Sequence, residues 1–298
     1  MSRISESIFG ALGAIRFKNR VNFMTPKRSE KHKIPTMSTK QYMTTTAFVR
    51  KRPVCTIEPV DTEAKVHIVY FHGGGYSMEA TGLHFQLMKN LVKQTGCALT
   101  YIDYPLAPEH TVTETMDMSL MAYKKLKAGY PKHRFILMGD SAGGGLALAL
   151  AMRIRDEALT DPGLAQPEQI IVFSPWLDIA LTNKRIPEYE KRDVILDVDA
   201  LREIGEQYRG DVPVDNYMVS PKFGDLSGLG AISVFYGTEE IFFPDCEEFC
   251  DETQNGGFPV TGYEYDNMQH DWVILPIEEA KRAVGEICAL VALRDMTI

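Results

Sequence analysis

The sequence predicts an α/β protein whose sheet is mostly parallel and carries helices on both faces. From residue 66 onward, short apolar runs alternate with longer helical patterns, which is typical of parallel strands joined by helices. The chain has 298 residues, of which 45% are hydrophobic and 24% are charged. A chain of this length and composition can bury one large core, with or without an appended cap.

Six apolar runs are expected to form buried strands, at residues 66–71, 97–102, 135–138, 170–173, 231–236 and 260–265. The helical patterns lie between or after them, at residues 83–94, 112–127, 142–157, 245–254 and 277–293. Two weaker strands, residues 44–50 and 54–59, come first in the chain, and Pro53 is expected to separate them. They would form an antiparallel edge and bring the sheet to eight strands.

Two further segments are predicted to cover the sheet. More than fifty residues separate the strand that ends near residue 175 from the one that begins near residue 231, and residues 187–209 among them are charged and helical. An insertion of this length in a compact domain is usually a lid or cap. At the N-terminus, residues 1–21 have the spacing of an amphipathic helix. We expect this helix to pack over the protein, with attachment to a membrane surface as the alternative.

Composition excludes several classes of partner. The net charge of -8 argues against nucleic acid, which binds to basic faces. No stretch approaches the roughly 20 apolar residues that span a bilayer, so stable membrane insertion is not expected. Five scattered cysteines favour no disulfide framework and indicate a reducing, cytoplasmic location. Cys246 and Cys250 lack a nearby histidine, so a metal site there is not expected.

The segment Gly139-Asp140-Ser141-Ala142-Gly143 has the G-x-S-x-G pattern. It follows an apolar strand and begins an Ala-rich helix, which is the strand–turn–helix context of a nucleophile elbow. Glycines two residues to either side leave room for a strained turn, and the helix N-terminus favours developing negative charge. Ser141 is therefore predicted to be a nucleophile.

A second glycine-rich segment, His72-Gly73-Gly74-Gly75, directly follows the strand at residues 66–71. Three glycines let the main chain approach a substrate closely. Backbone N–H groups of such a loop can stabilise the oxyanion that forms in acyl transfer. A phosphate-binding loop is the rival interpretation, but neither G-x-G-x-x-G nor a following Lys-Ser/Thr is present.

The general base is predicted to be His270. In the hydrolase fold that the elbow indicates, the order along the chain is nucleophile, acid, histidine. Six of the seven histidines precede Ser141, and only His270 follows it, in the loop after the strand at 260–265. This imidazole would take the proton of Ser141 and return it to the leaving alcohol.

The acid that orients the imidazole should follow the strand at residues 231–236. Glu239, Glu240 and Asp245 all lie there. Each of them could instead be a solvated acid, and Asp245 could cap the next helix. Glu240 is the preferred candidate, with Asp245 as the alternative.

Together these motifs resemble the hormone-sensitive-lipase-like group of α/β-hydrolase esterases, the bacterial carboxylesterases in particular. The matching segments fall in the family's order: HGGG at 72–75, DYPLAPEH at 103–110, GDSAGG at 139–144, SPW at 174–176, VSP at 219–221 and QHD at 269–271. The resemblance implies the α/β-hydrolase fold with a helical cap. The cap would consist of residues 1–45 and about 180–215, and the catalytic domain would span residues 46–298.

The resemblance also implies roles for individual residues. The amides of Gly74, Gly75 and Ala142 would form the oxyanion hole, and His72 would orient that loop. Glu240 aligns with the family's catalytic aspartate, although the usual Asp-Pro-Leu-x-x-Asp motif is absent. Pro105 stands where the family commonly has arginine, so any ionic support from that residue is missing or replaced.

The expected activity is hydrolysis of small, short-chain acyl esters through an acyl-enzyme, without a metal or an organic cofactor. The second hypothesis is a deacetylase or an amide hydrolase that uses the same triad. A non-catalytic ligand-binding homologue is the third, and such relatives typically lose the late histidine. The partner is therefore a small-molecule ester, and the sequence leaves homo-oligomer formation open.

Overall fold

The computed structural model describes residues 1–26, 29 and 32–292. Its strands are β1 (Tyr42–Val49), β2 (Arg52–Pro59), β3 (Val66–Phe71), β4 (Ala98–Ile102), β5 (Arg134–Asp140), β6 (Gln169–Phe173), β7 (Ala231–Gly237) and β8 (Val260–Tyr265). Its α-helices are α1 (Arg3–Ala14), α2 (Gly82–Thr95), α3 (Val112–Gly129), α4 (Ser141–Ala158), α5 (Ile186–Tyr189), α6 (Val198–Arg209), α7 (Phe243–Asn255) and α8 (Glu278–Ala292). Short 3₁₀ turns lie at Phe17–Arg20, Pro221–Phe223 and Trp272–Ile274.

The eight strands form one sheet in the order β1-β2-β4-β3-β5-β6-β7-β8. The pairs β1–β2 and β2–β4 are antiparallel, and the five remaining pairs are parallel. The predicted fold class is confirmed, with the antiparallel edge at the predicted place. Because β5 lies inside the sheet and runs parallel to β6, β7 and β8, the carboxyl ends of these four strands meet at one edge.

Helices cover both faces of the sheet, because the strand side chains alternate between two apolar clusters. In β3, Val69 and Phe71 belong to the cluster that packs against α3 and α4, whereas Ile68 and Tyr70 belong to the cluster that packs against α2 and α8. All six residues of β3 are buried. A strand buried on both faces explains the continuous apolar run in the sequence.

Most predicted elements agree with the structure to within about two residues, but the role expected for Pro53 is wrong. Pro53 lies within β2, opposite Phe48 of β1. The turn is formed instead by Arg50 and Lys51, with φ of 46° and 66°. Proline is tolerated at this place because β2 pairs with its inner neighbour β4 only from Val54 onward, so the missing N–H removes no bond to that strand. Residue 293, the predicted end of the last helix, lies outside the described residues.

The helices α1 and α6 belong to the two segments expected to form a cap. The side chains of Ser5 in α1 and of Ser2, its N-cap residue, donate hydrogen bonds to the carboxylate of Glu279 at the start of α8. In α6, Tyr208 stacks on Tyr76 with a centroid separation of 3.7 Å and an interplanar angle of 2°. The predicted helix at residues 187–209 is two helices, α5 and α6, joined by a loop. Within the described ranges, no helix is both long and apolar enough to cross a membrane.

Candidate active site

Ser141 lies at the turn between β5 and α4, with φ of +52°. A side chain at either flanking glycine would not fit: a Cβ at Gly143 would meet the carbonyl oxygen of Phe71 at 2.2 Å, and one at Gly139 would meet that of Gly143 at 2.4 Å. The left-handed conformation is costly for a residue other than glycine. The close packing of β3, β5 and α4 around the turn holds Ser141 in that conformation.

Ser141, His270 and Glu240 form one hydrogen-bonded chain. The hydroxyl oxygen of Ser141 lies 2.9 Å from Nε2 of His270, and Nδ1 of His270 lies 2.7 Å from Oε2 of Glu240. All three side chains are buried, and Glu240 is fully inaccessible. With Nδ1–H donating to the carboxylate, Nε2 is free to accept the proton of the hydroxyl. The structure thus brings together the three residues that the sequence selected, and their catalytic roles stay a prediction.

Glu240 is held by two further donors. The Ser174 hydroxyl and the Gly237 N–H both donate to its Oε1, each at 2.8 Å. Its Oε2 is left for His270, so each oxygen of this buried carboxylate has a donor. These bonds hold the Glu240 carboxylate beside His270 just after β7.

The other candidate acids lie elsewhere. Asp245 is in the first turn of α7, where its Oδ1 accepts hydrogen bonds from Lys222 at 2.8 Å and from Asn183 at 3.3 Å. Glu239 forms a long ion pair of 3.8 Å with Arg192. No contact joins either carboxylate to His270 in the structure, so geometry favours Glu240.

The loop after β3 adopts a conformation that only glycines reach easily. Gly74 has φ of +113° and Gly75 has φ of +59°. A Cβ at Gly75 would lie 2.7 Å from the ring of Phe23, so this glycine also permits close packing of the N-terminal segment. Ala142 is the second residue of α4, where N–H groups have no acceptor within the helix. These amides are donors of the kind an oxyanion requires.

His72 is a buried structural residue of that loop. Its Nδ1 donates to the carbonyl of Gly73 at 2.6 Å, and its ring stacks on Tyr104 with a centroid distance of 4.5 Å. The Tyr104 hydroxyl donates to the His72 carbonyl at 2.6 Å. Burial lowers the pKa of His72 to about 3, so the ring is neutral. These contacts agree with an orienting role, which remains a prediction.

Asp140, the residue before Ser141, links the elbow to the glycine loop. Its carboxylate accepts from the Gly73 N–H at 2.8 Å, from the Tyr70 hydroxyl at 2.6 Å and from Nε2 of His84 at 3.0 Å. Although burial alone would raise the pKa of Asp140, the facing His84 ring lowers it overall. A charged and fully bonded Asp140 fixes the separation between nucleophile and loop. The sequence offered no signal for this role, since the second position of the G-x-S-x-G pattern is unrestricted.

The imidazole of His270 lies between two carboxylates. Glu240 contacts Nδ1, and Oδ2 of Asp271 lies 3.3 Å from Nε2. Burial lowers the pKa of His270, but Asp271 and Glu240 together outweigh burial and raise this pKa well above its ordinary value. Asp271, whose φ is +54°, was not selected from the sequence because nothing in its motif distinguishes it from a solvated acid.

Two more residues join the insertion to the loops that carry His270 and Glu240. Gln269 accepts from the Val194 N–H at 2.9 Å and donates to the Arg192 carbonyl at 3.0 Å. Asp193 accepts from three backbone N–H groups, one of them that of Ile241. Burial raises the pKa of Asp193 to about 6.

A cavity of about 390 Å³ opens beside Ser141. Its wall is mainly apolar and comes from the N-terminal segment, the glycine loop, the insertion and the His270 loop. The apolar side chains are Ile8, Leu12, Phe17, Val21, Phe23, Met78, Leu83, Ile195, Leu196, Leu201, Ile274 and Leu275. Its size and apolar wall suit a small organic molecule held at the serine.

Among the residues that the structure describes, no group of three or more His, Cys, Asp or Glu side chains is arranged to hold a metal ion. All five cysteines fall within the described ranges, and each carries a free thiol.

Comparison with known proteins relates this geometry to a family. A family model described as the α/β-hydrolase fold matches residues 68–274, more than half of the chain. An esterase from Acinetobacter venetianus is 31% identical over 233 residues, which are 77% of this chain and 75% of that protein. An acetyl-hydrolase from Streptomyces hygroscopicus is 32% identical over 222 residues, which are 73% of this chain and 72% of that protein.

Solved structures extend the likeness to nearly the whole chain. An esterase from the bacterial hormone-sensitive lipase family superposes with a TM-score of 0.79 at 24% identity, over 98% of both chains. A hormone-sensitive lipase from a metagenome library superposes with a TM-score of 0.76 at 26% identity, over 98% of this chain and 94% of that one. The resemblance inferred from the motifs is confirmed. The chain belongs to the α/β-hydrolase fold family, within the hormone-sensitive-lipase-like group of bacterial carboxylesterases.

Proposed function

We propose that this carboxylic ester hydrolase cleaves small acyl esters through an acyl-enzyme formed on Ser141. The observation that carries the proposal is the buried chain from the Ser141 hydroxyl through His270 to Glu240, with separations of 2.9 and 2.7 Å. A hydroxyl is a weak nucleophile until a base removes its proton during attack. Here His270, the proposed base, contacts the Ser141 hydroxyl, and Glu240, the proposed acid, contacts His270.

In acylation, the Ser141 oxygen attacks the ester carbonyl carbon while its proton passes to Nε2 of His270. The amides of Gly74, Gly75 and Ala142 donate to the oxyanion of the tetrahedral intermediate. The intermediate collapses as the bond to the alcohol oxygen breaks, and Nε2 gives its proton to that oxygen. Glu240 stabilises the imidazolium while it carries this proton.

In deacylation, the same groups act on water. Nε2 of His270 accepts a proton from water as the water oxygen attacks the acyl carbon. The second tetrahedral intermediate then expels the Ser141 oxygen, which regains its proton from Nε2. The products are a carboxylic acid and the unchanged enzyme, so one water molecule is consumed in each cycle.

A small acyl group is supported by the size and lining of the cavity. About 390 Å³ beside the serine accommodates a short acyl chain and a small alcohol, and the long chains of a triglyceride would exceed it. The acetyl-hydrolase from Streptomyces hygroscopicus favours removal of acetyl groups as the second candidate reaction. Both reactions use the same steps at Ser141.

We further propose that residues 1–45 and about 180–215 form the cap over a catalytic domain of residues 46–298. Ile8 and Leu12 from α1 and Leu201 from α6 line the cavity, which supports this division. The boundary is not sharp, since β1 of the sheet begins at Tyr42.

Labelling and hydrolysis together test the proposal. We expect a fluorophosphonate to label the wild type once, at Ser141, and we expect Ser141→Ala to lose both the label and at least about 10³-fold in kcat on p-nitrophenyl butyrate. Ser227→Ala, which removes an exposed hydroxyl of a distant loop, is the matched control and should behave as wild type. Labelling at another residue, or a Ser141→Ala variant that retains more than about a hundredth of the rate, would contradict the proposal.

A series of p-nitrophenyl esters from two to twelve carbons tests the acyl size. We expect kcat/KM to be highest for the shortest chains and to fall once the acyl chain outgrows the cavity. A maximum at ten or twelve carbons would overturn the small-substrate part of the proposal and leave the acyl-enzyme part intact.

A further inference from the structure

The wall of the cavity beside Ser141 contains few polar side chains. Apart from Ser141 and His270, they are those of Thr81, His84 and Asp271. Thr81 and His84 bond each other, since Nδ1 of His84 accepts from the Thr81 N–H at 2.9 Å. Nε2 of His84 then donates to Asp140. Asp271 is the one among these three for which the proposed mechanism and the local bonding supply no donor.

Within the part of the chain that the structure describes, neither oxygen of the Asp271 carboxylate has a hydrogen-bond donor in the active form. Its Oδ1 is buried and has no hydrogen-bond partner among the described residues, and its side chain is 18% exposed. Its Oδ2 lies 3.3 Å from Nε2 of His270. In the active form, this nitrogen has no proton to give, because its lone pair accepts the Ser141 hydroxyl. Nε2 therefore offers Oδ2 a lone pair rather than a proton, and Oδ1 accepts no hydrogen bond from the described residues.

An unpaired carboxylate in an apolar cavity carries a large desolvation cost. Burial accordingly raises the pKa of Asp271, and a positive charge nearby opposes this rise and keeps the carboxylate ionised. The imidazolium of His270 is such a charge, but in that form Nε2 can no longer act as the base. A cationic group on a bound ligand would pair with Asp271 and leave His270 neutral.

We propose that Asp271 forms a subsite for a positively charged group on the alcohol part of the ester. This inference rests on the proposed function, because it uses the direction in which Nε2 delivers its proton. Nε2 returns the proton to the leaving alcohol, so the alcohol part passes the atom that Asp271 contacts. The acyl part is bonded to Ser141 and stays behind.

The rest of the wall suits an alkylated ammonium group. Apolar and aromatic side chains, Phe17 and Phe23 among them, line the same cavity. Walls of this kind with one carboxylate bind quaternary ammonium ions by dispersion, cation–π attraction and charge. The ligand class is therefore an ester of a small amino alcohol.

Two esters that differ only in charge test the subsite. Choline butyrate carries a trimethylammonium group where 3,3-dimethylbutyl butyrate carries an uncharged tert-butyl group of the same shape. In the wild type, we expect kcat/KM to be at least about tenfold higher for the choline ester, since a charge pair about 4 Å apart is stabilised in a partly desolvated site. In Asp271→Asn, the ratio of the two values should fall towards one.

The ratio of kcat/KM on the two esters distinguishes loss of the subsite from a change that slows hydrolysis of both esters equally. Asp266→Asn removes the same charge from an exposed position of the same loop, and it should keep the wild-type ratio. An equal rate on both esters in the wild type, or an unchanged ratio in Asp271→Asn, would refute the subsite while hydrolysis of the neutral ester upholds the proposed function. Failure of the wild type to hydrolyse either ester would refute both.

Inhibition of the wild type gives a second measurement that needs no variant. Choline and 3,3-dimethylbutanol should each compete with hydrolysis of a neutral ester, and choline should do so at a concentration at least about tenfold lower. If the uncharged alcohol inhibits as well as choline does, the subsite does not select charge and the inference is wrong.

Discussion

The carboxylate of Asp193 accepts a hydrogen bond from the backbone N–H of Ile241, the residue that follows Glu240, at 3.0 Å. Its other oxygen accepts from the N–H groups of Ile195 and Leu196 at 2.7 and 2.8 Å. A single buried side chain of the insertion therefore fixes both its own loop and the turn that presents Glu240 to His270. We infer from these bonds that Asp193 positions Glu240.

Asp193→Asn should weaken the contact between the insertion and the Glu240 turn. The amide NH₂ would face at least one backbone N–H donor, and we expect a loss of about 1–3 kcal/mol in the free energy of unfolding. We also expect a fall in kcat of about tenfold with little change in KM. The asparagine oxygen can keep accepting from Ile195 and Leu196 of the cavity wall, whereas its NH₂ faces the Ile241 N–H and shifts the Glu240 turn. Thermal denaturation and steady-state kinetics measure the two effects.

Asp197→Asn is the matched control for this variant. Asp197 caps α6 of the same insertion by accepting from the Ala200 N–H at 2.9 Å, and asparagine caps a helix equally well. Its kcat should equal that of the wild type. An equal loss of kcat in both variants would mean that the whole insertion, rather than the contact with Ile241, supports the rate.

The pH dependence of the rate should reflect the raised pKa of His270. Glu240, Asp271 and Asp193 are the charged groups that act on this ring, and Asp271 is the strongest cause of the rise. Only the neutral imidazole accepts the serine proton, so kcat/KM falls as the pH drops below this pKa. Since the shift is upward from 6.5, we expect kcat/KM on a neutral ester still to be rising above pH 7.

Asp271→Asn should move that acid limb to lower pH, because it removes a negative charge 3.3 Å from Nε2. A pH profile of kcat/KM on p-nitrophenyl butyrate measures the midpoint. A midpoint that stays in place, or moves upward, would show that Asp271 does not act on the imidazole.

Replacing the two candidate acids separates their roles. Glu240→Gln leaves a neutral amide beside Nδ1, and we expect kcat to fall by about 10³-fold or more because the imidazolium loses its counter-charge. Asp245→Asn removes one of the two carboxylates that pair with Lys222, the other being Asp178, and should lower the free energy of unfolding by about 1–3 kcal/mol with kcat nearly unchanged. If Asp245→Asn lost more kcat than Glu240→Gln, the catalytic acid would be Asp245 in α7.

Gly75→Ala should disable the oxyanion loop. A methyl group there would meet the ring of Phe23 at 2.7 Å, and φ of +59° disfavours any side chain. Displacing one donor of an oxyanion hole lowers kcat by about 10²–10³-fold. Gly82→Ala, at an open position in the first turn of α2, should leave kcat unchanged. Wild-type kcat in the Gly75 variant would place the oxyanion elsewhere.

The N-terminal helix should influence acyl-chain preference. Leu12→Ala enlarges the cavity, so we expect the ratio of kcat/KM on p-nitrophenyl hexanoate to that on the acetate to change by about threefold or more. Ile4 lies on the same helix and is 50% exposed, and Ile4→Ala should preserve the wild-type ratio. Equal ratios in all three proteins would mean that α1 does not contact the acyl chain.

Most of the elements and residues that the sequence predicted carry their signal in neighbouring residues, and His270 is the exception. The predicted bounds of β3 agree with the structure because this buried strand is a continuous apolar run. The predicted bounds of β8 also agree, although only its first and last residues are buried. Ser141 stands in a motif whose glycines are required by the turn itself. His270 could be selected because the order of the three groups along the chain is a property of the fold.

The residues that the sequence did not reveal act through partners far away in the chain. Ser174 matters because it reaches Glu240, and Asp193 matters because its loop packs on Ile241. A lone polar residue gives no hint of which distant backbone group it will meet. The hairpin was misplaced for a related reason, since Arg50 and Lys51 adopt a turn conformation for which glycine or asparagine is the usual signal.

The bonds that join Gln269 and Asp193 to the insertion have a consequence for how substrate reaches the serine. Because these bonds end on the residues next to His270 and Glu240, the insertion cannot swing outward without disturbing the proton path. The helix α1 is held by different bonds, which the hydroxyls of Ser2 and Ser5 donate to the carboxylate of Glu279 in α8. We therefore expect α1 to move more readily than the insertion, and substrate and product to pass in and out on the α1 side.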